Sequence, residues 1–290
     1  MNNPTQQDKT ESLAGNRLYT DFYKLILSEV LELPTIPEFA DKIRNTINQR
    51  NANRSIVNSV LQLDPVITAQ LIRKANCLPQ DKEIACCSGA LTRIGVKGTK
   101  KFISEFTKTS VFTAESPLIA RRLRKLWKHS IYVAAISAIL AQKTPGFNPD
   151  RAMLAGLVHN IGIIPILVVA DQIQDPLLSA EDIDYSIKML KIEIGIKIMR
   201  EWGFPSDFKN IISQSGEWYL DIANQPDYTD IVNIAQLHSY IGTPKMKDLP
   251  KLDELPGYKK LAAGQLNAET SIDIIESAKQ EIQHIQSLLA

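Results

Sequence analysis

The sequence predicts an all-α fold, and three features of the chain lead to this prediction. Helix starts are marked repeatedly by a capping side chain followed by proline, at Asp64-Pro65, Ser116-Pro117 and Asn148-Pro149. Such pairs are typical of helix N-termini, because proline has a helical φ angle and lacks an N–H group that would otherwise stay unpaired. Apolar residues downstream recur at helical spacing, and no segment shows the alternation that marks a strand.

The predicted helices follow one another with short turns between them. After Asp64-Pro65 the apolar residues of 65–76 keep to one face, and the longest helix runs from Pro117 to Lys143 without an internal Gly or Pro. The segment after Asn148 makes about three turns, which places His159 at a helix C-terminus. The same periodicity recurs in residues 36–49, 54–63, 100–112, 184–202, 205–214 and 229–240.

Composition shifts divide the chain into three parts. Residues 1–19 are polar and are predicted to be a disordered tail, residues 20–242 form one helical body, and residues 243–290 are a linker followed by an amphipathic helix. The apolar stripe of that helix consists of Ile275, Ala278, Ile282, Ile285 and Leu289. Because it is too short for a stable isolated coiled coil, we expect it to pack on the body, with a homodimer through this helix as the alternative.

Charge and cysteine content favour a cytoplasmic protein. With 33 basic and 32 acidic side chains the formal charge is +1, so no global field attracts nucleic acid or an anionic membrane. The 3 cysteines show no CxxC pairing, which favours free thiols in a reducing compartment. The most apolar segment, residues 161–170, is far shorter than the roughly 20 residues that cross a bilayer, and the N-terminus lacks the features of a secretory signal. We therefore predict no membrane contact.

Four stretches together resemble the HDOD family, a non-catalytic relative of the HD-domain metal-dependent phosphohydrolases. The segment LPTIPEFADKI resembles the family's LPxLPxxA opening, and LQLDPVITAQLIRKANC resembles its xxDPxLxxxLLRxxN segment. The segments LWKHSIYVAA and AGLVHNIG resemble LWxHSxxVA and AGLLHDIG, and REWGFP lies in a stretch similar to ExGxxLLxxWxLP. The matching family-motif residues are Leu33, Pro34, Pro37, Asp64, Pro65, Asn76, Trp127, Gly156, Gly162, Trp202, Gly203 and Pro205.

The resemblance, which covers about residues 33–240, implies both a fold and a function. It implies an HD-like helical bundle packed on an N-terminal helical bundle, with His129 and His159 brought together. It also implies a regulatory protein that has no catalytic residue and serves as a scaffold for a partner protein. The pathways it implies are bacterial signalling pathways, often two-component or cyclic dinucleotide systems.

The motif that would hold a metal departs from the family in three places. Asn160 stands where the family usually has Asp, and Gln214-Ser215 replaces a His pair. A catalytic HD domain also has a late Asp ligand, whose neighbourhood here is Ala235-Gln236. A divalent ion normally needs three or more protein ligands, so we interpret His129, His159 and Asn160 as a vestigial site and predict no cofactor.

Three other functions stay open at this stage. One is a metal-dependent phosphohydrolase acting on a nucleotide, with His129 and His159 as ligands, and a weak zinc site at the same pair is a reduced form of it. Another is a sensor that binds a nucleotide or another small ligand in a cleft between the bundles. The third is nucleic-acid binding through the basic run 121–129, but helical spacing spreads these side chains over several faces, which indicates a solvated surface.

Overall fold

The structure is a computed structural model that describes residues 33–79, 83–173, 178–222 and 224–262. It also describes residues 20, 24, 273–274, 276–280 and 282–283. The tail predicted for residues 1–19 lies outside the described residues, as do Ile275, Ile285 and Leu289 of the predicted C-terminal stripe.

The all-α prediction is confirmed. The α-helices of the described residues are α1 Pro37–Ile47, α2 Arg54–Leu61, α3 Pro65–Asn76, α4 Cys87–Ile94, α5 Val96–Thr109, α6 Pro117–Lys143, α7 Pro149–Val158, α8 Ile163–Ile173, α9 Ala180–Glu201, α10 Asp207–Gln214, α11 Tyr228–Ser239 and α12 Pro256–Ala262. Short 3-10 helices span Pro244–Asp248 and Leu252–Glu254. Within these described residues, β pairing is limited to an isolated parallel bridge between Thr35 and Val111.

The helices form two bundles that share one hydrophobic core. Helices α1 to α5 pack on one another as the N-terminal bundle, and α6 to α12 pack as the HD-like bundle around the long α6. Helix α6 packs most extensively on α7, and it also contacts α8 and α11. Helices α3 and α4 contact α7 across the boundary, so buried residues of both bundles belong to a single cluster. The arrangement implied by the resemblance is therefore present.

The three predicted helix starts are capped in two different ways. Asp64 and Asn148 cap α3 and α7 directly, because each side-chain oxygen accepts two backbone N–H bonds of the first turn. Ser116 makes no side-chain capping bond at the start of α6. The carboxylate of Asp171 instead accepts the backbone N–H groups of Glu115 and Ser116, both at 2.9 Å. A carboxylate distant in sequence thus fixes the entry to the longest helix.

Asp64 also joins the two bundles. Its Oδ1 accepts the N–H groups of Val66 and Ile67 at 2.8 Å, and its Oδ2 accepts the indole N–H of Trp127 at 3.0 Å and the hydroxyl of Thr35. Burial raises the pKa of this carboxyl, while the surrounding donors act in the opposite direction. The α3 start, the segment before α1 and helix α6 are therefore tied to one side chain.

A second polar junction involves the REWGFP turn. The amide of Asn76 donates to the carbonyl oxygens of Ile84 at 3.1 Å and Gly203 at 2.9 Å, and its oxygen accepts the N–H of Ile84 at 2.8 Å. Gly203 has φ of 67°, a left-handed conformation that glycine adopts without strain. Trp202 is 2% exposed beside it. Several family-motif residues therefore fasten the two bundles together.

The segment predicted as a linker is folded at its end. Leu255 is buried after the two 3-10 helices, and α12 packs on α11. Beyond α12, the described residues 273–274, 276–280 and 282–283 are helical. Ile274 and Ala278 are buried, and Ile282 packs against the core. The C-terminal segment therefore contacts the body, and a homodimer through it stays a prediction.

The most apolar part of the chain lies inside the protein. In the described residues, the stretch Pro149–Ile173 is long and apolar enough to cross a bilayer, but 78% of its most apolar window is buried within the fold. It comprises α7, the His159 turn and α8, all packed against α6. Burial in the core accounts for its composition, as for the central helices of other globular proteins.

Candidate functional site

His129 and His159 lie side by side near the centre of the HD-like bundle. His129 is on α6, and His159 is the C-cap residue of α7. Their Nε2 atoms are 3.3 Å apart, and their rings meet edge to face with centroids 5.2 Å apart. His159 is buried, whereas His129 is partly exposed to a cleft. The structure thus brings together the two histidines that the family motif contains.

Two glycines allow the backbone around His159 to pack closely. A Cβ atom on Gly156 would lie 2.7 Å from Ser137 Oγ and 2.8 Å from Ala134 Cα, so α7 approaches α6 at this point. A Cβ atom on Gly162 would lie 2.0 Å from the carbonyl oxygen of Lys191 on α9. Only glycine fits both places, and the two close approaches hold the His159 turn between α6 and α9.

Hydrogen bonds determine the tautomer of His159. Its Nδ1 lies 2.6 Å from the carbonyl oxygen of Gly156, which can only accept, so Nδ1 carries the proton. Nε2 is then an acceptor, and the side-chain amide of Asn160 donates to it at 2.7 Å. The opposite amide orientation would bring two acceptors together. The lone pair that a metal would need is therefore used by Asn160, and His129 can approach this nitrogen only as a second donor.

Both imidazoles are neutral at physiological pH. Burial lowers the pKa of His159 well below its ordinary value, and the neighbouring His129 adds to the effect. The pKa of His129 is lowered to about 4, first by burial and then by the ammonium groups of Lys245, Lys125 and Lys191. Helices α6 and α9 and the first 3-10 helix each contribute one of these lysines.

The other family ligand positions also meet at this place. The amide of Gln236 on α11 donates to the hydroxyl of Ser215 at 2.6 Å, and both side chains are buried. They line the same cavity as His129 and Asn160. A neutral hydrogen-bonded pair thus occupies the region where the sequence comparison places the later His pair and the late Asp.

The donor set does not fit a divalent cation. Across the described residues no group of three or more His, Cys, Asp and Glu side chains is close enough to hold a metal. Two neutral imidazoles, one with its lone pair engaged, are fewer ligands than a protein site for zinc normally has. The nearby lysines would also repel a cation.

The histidine pair opens on a basic cleft. A cavity of about 950 Å³ is bordered by residues of α6, α8, α9, α11 and the first 3-10 helix, and an adjoining cavity of about 990 Å³ shares Lys125, His129, Tyr240 and Lys245. Arg121, Arg122 and Lys128 of the basic run also face these cavities. The side chains of this run are partly solvated, as predicted; most of them border these two cavities, whereas Arg124 borders a separate pocket beside Pro37 and Phe112.

Sequence reasoning missed three contributors to this cleft. Lys191, Tyr240 and Lys245 come from different elements, and nothing in their local spacing connects them with His129. Trp127, by contrast, is fully buried, so it offers no surface for stacking on a base. Burial raises the pKa of the thiols of Cys86 and Cys87, and the nearby Asp150 adds to the shift, so neither thiol is activated as a nucleophile.

Comparisons with known proteins agree with this geometry. The profile of the HDOD domain family matches residues 33–217. Among curated protein sequences, none matches the chain significantly. Among solved structures, a proposed metal-dependent phosphohydrolase from Shewanella amazonensis SB2B is 23% identical, with a TM-score of 0.53, and the match covers 92% of this chain and 98% of that one.

A second solved structure supports the same fold. The MmoQ response regulator from Methylococcus capsulatus str. Bath is 15% identical with a TM-score of 0.62, and the match covers 84% of this chain and 98% of that one. At these identities the likeness concerns the fold alone. The family match covers more than half of the chain, and it contains His129, His159 and both polar junctions between the bundles. The chain therefore belongs to the HDOD domain family.

Proposed function

We propose that this protein is a non-catalytic signal-transduction protein whose HDOD domain is a scaffold for a partner protein in a bacterial signalling pathway. The observation that carries the proposal is the hydrogen bond from the Asn160 amide to His159 Nε2, which occupies the atom that a catalytic metal would use. The fold shared with the MmoQ response regulator supports a role in signalling. A cytoplasmic location is part of the same proposal.

The chemistry of the site argues against hydrolysis. Metal-dependent hydrolysis requires several protein ligands and a further position for an activated water. A general base works best when its pKa lies near the operating pH, and the pKa of His129 is about 4. Its neighbour His159 already has both ring nitrogens in hydrogen bonds. Neither imidazole is therefore suited to activate water at neutral pH.

Exposed apolar side chains indicate a face for the partner. On α9, Tyr185 and Met189 are 51% and 50% exposed, and in the loop after α10, Tyr219 and Ile222 are 64% and 71% exposed. On α9, Ile187 and Lys191 border a cavity together with Trp218, whereas Tyr185 and Met189 lie about half a turn away on the opposite stripe of the helix. Large exposed apolar side chains are common at protein interfaces. We assign the partner to the loop after α10, which carries Tyr219 and Ile222.

Catalytic silence is tested by activity assays on the purified protein. With added manganese, nickel or iron, we expect no hydrolysis of phosphomonoesters, phosphodiesters or nucleoside triphosphates above the level of a His159→Ala variant. Turnover that disappears in His159→Ala would establish an enzyme and refute the proposal.

Partner binding is tested by photocrosslinking in the native cells. A photoreactive amino acid at Tyr219 should give a defined crosslinked protein, whereas the same group at Lys101, an exposed position on α5, should not. The product should disappear when Ile222 is replaced by Ser and persist when Tyr185 and Met189 are both replaced by Ser. Equal products from both positions, or none from Tyr219, would rule out this face.

A further inference from the structure

The charge of the protein is unevenly distributed around the histidine cleft. The whole chain has a formal charge of only +1. The 950 Å³ cavity nevertheless has Arg121, Arg122, Lys125, Lys191 and Lys245 on its walls, and its one acidic neighbour, Asp184, already forms an ion pair with Arg122. Lys42 and Lys128 face the adjoining cavity, with Glu38 as the acidic residue there. The cleft therefore carries an excess of positive charge.

Three of these ammonium groups border the cavity beside His129, and none of them forms an ion pair among the described residues. Lys125, Lys191 and Lys245 all act on His129 to lower its pKa, so their fields overlap at this ring. Within the described part of the chain, none of the three has a carboxylate at ion-pair distance. Lys191 is also partly buried, and burial lowers the pKa of its ammonium group, while the carboxylate of Glu217 acts in the opposite direction and Lys245 adds to the lowering. An anion placed among the three would relieve this unfavourable arrangement.

Flat rings lie beside the cations. Tyr240 stacks on His129 with centroids 5.5 Å apart and 22° between the planes, and Lys245 Nζ is 4.1 Å from the centroid of Tyr240. Trp218, partly exposed, borders the same cavity. His129 and Tyr240 therefore place aromatic rings next to ammonium groups that have no carboxylate at ion-pair distance among the described residues. A ligand that has both a planar ring and a multiply charged group would match the two features together.

The volume and the charge of the cleft favour a small, multiply charged ligand. A volume of about 950 Å³ lies within the range of ordinary ligand pockets, which is roughly 300–1,000 Å³. Three cations from three separate elements match more than one negative charge, as in a diphosphate, a triphosphate or two linked phosphates. Lysine ammonium groups are common partners of phosphate in proteins.

We propose that the cleft between α6, α9 and the first 3-10 helix binds a phosphorylated nucleotide. Lys125, Lys191 and Lys245 neutralise its phosphate groups, and Tyr240 contacts its base. Binding requires neither a metal nor the partner protein. The site is therefore independent of the proposed scaffold function, and each can fail without the other.

Calorimetric titration of the full chain with defined probes tests this site. The probes are GTP, cyclic di-GMP, pyrophosphate and the uncharged nucleoside guanosine. We expect at least one of the two nucleotides to bind, pyrophosphate to bind more weakly than that nucleotide, and guanosine to give no measurable heat. Affinity should fall as salt is raised from low to physiological concentration, because salt screens exposed charges.

Matched charge variants test whether nucleotide binding depends on the lysines of the cleft or on positive charge anywhere on the surface. In Lys125→Gln/Lys191→Gln/Lys245→Gln we expect a loss of nucleotide affinity of about tenfold or more, since one hydrogen bond to a charged group can account for a tenfold change. The control Lys97→Gln/Lys101→Gln/Lys108→Gln removes three exposed charges from α5 and should bind like the parent. If the triple cleft variant does not fold, Lys125→Gln and Lys245→Gln alone replace it, because both side chains are exposed.

A variant of the Tyr240 ring tests whether the protein contacts the base of the nucleotide as well as its phosphate groups. Tyr240→Leu should weaken binding of the nucleotide and leave that of pyrophosphate unchanged. The proposal is overturned if the parent binds no phosphorylated probe up to about 1 mM. It is equally overturned if the cleft variant and the α5 control bind alike, or if guanosine binds as well as the nucleotides.

Discussion

Two buried polar clusters lie on opposite sides of helix α6, only two residues apart in sequence. Trp127 reaches Asp64 in the N-terminal bundle, and His129 reaches His159 in the HD-like bundle. The Asp64 cluster contains a carboxylate that accepts hydrogen bonds from four donor groups. The histidine cluster has no carboxylate, and its nearest charged groups are lysines. One cluster joins the bundles, and the other borders a cleft.

The comparison shows where this chain places its buried negative charge. A carboxylate beside two histidines would favour a cation, yet the structure uses Asp64, Asp150 and Asp171 to accept backbone N–H groups at helix starts and junctions. The histidine cluster is completed by neutral amides from Asn160 and, nearby, Gln236. The residues that resemble a catalytic motif are therefore neutral, whereas those that resemble ordinary capping residues hold the charge.

Removing the carboxylate of Asp64 should have the largest effect on stability. Asp64→Ala leaves the donors of Thr35, Val66, Ile67 and Trp127 without a partner, and each unsatisfied buried group costs about 1–3 kcal/mol. We expect a loss of about 3–5 kcal/mol in the free energy of unfolding, measured by urea denaturation. Asp184→Asn, at an ion pair whose carboxylate is 65% exposed, is the control and should cost less than about 1 kcal/mol. Similar losses for both would mean that Asp64 is not the junction described above.

The stability of the histidine cluster should depend more on close backbone packing than on charge. In Gly162→Ala the new methyl group would lie 2.0 Å from the Lys191 carbonyl oxygen, so α9 or the His159 turn must move. Overpacking of this kind typically costs about 1–3 kcal/mol. Gly98→Ala, inside α5, is the control and should cost less than Gly162→Ala, because its new methyl group would meet only the Ile94 side chain, at 3.0 Å, and alanine favours a helix interior. Equal stability of Gly162→Ala and the parent would contradict the tight packing of this turn.

Acidification should lower the stability of the protein through the histidine cluster. Because the folded-state pKa of His129 is about 4 and an unfolded histidine titrates near 6.5, the unfolded chain binds more protons between these values. The contribution of His129 to the free energy of unfolding is therefore complete above about pH 6.5 and is lost as the pH falls towards about 4. His159 and His238, whose pKa values are also lowered, add to the loss.

The His129→Gln variant measures this contribution. Its free energy of unfolding should depend less steeply on pH between about 6.5 and 4, by up to about 1.4 kcal/mol per pH unit. Urea denaturation of parent and variant at several pH values gives the two slopes. Identical slopes would show that His129 takes up its proton at the same pH in the folded and the unfolded chain, and would contradict the lowered pKa.

Restoring the family's carboxylate at position 160 should have the smallest effect on stability. Asn160→Asp removes the donor to His159 Nε2 and places a negative charge at the C-terminal end of α7, where the helix dipole disfavours it and the lysines of the same cavity offset part of the cost. We expect a loss of about 0.5–1.5 kcal/mol at neutral pH. Calorimetry should detect no tight manganese or zinc binding, because Ser215 and Gln236 still supply no anionic ligand. A gain of tight one-to-one binding would show a site that is a single substitution from working.

Much of the fold was predictable because helix signals are local. Caps such as Asp64 and Asn148 and the spacing of apolar residues located most helices. Three helices were missed, α4, α8 and α12. Helix α4 is short and has no side-chain cap, α8 is apolar nearly all round, and α12 begins in the proline-containing segment predicted as a linker.

The candidate site was predictable only where it coincided with a motif. His129 and His159 stand in recognisable segments, so their meeting could be expected from the family resemblance. Lys191 and Lys245 carry no such signal, since they are ordinary lysines in helical or polar segments. Their position beside His129 depends on how α9 and the first 3-10 helix pack, and that is a property of the tertiary structure.

The most direct test of the central claim is the metal affinity of the unmodified protein. The claim is that His129 and His159 form a neutral, metal-free cluster whose lone pair is occupied by Asn160. Protein purified without chelator should contain no stoichiometric manganese, iron or zinc by elemental analysis, and titration with each ion should show no one-to-one submicromolar binding. Stoichiometric metal in the parent that is lost in His159→Ala would contradict the claim and establish a working metal centre.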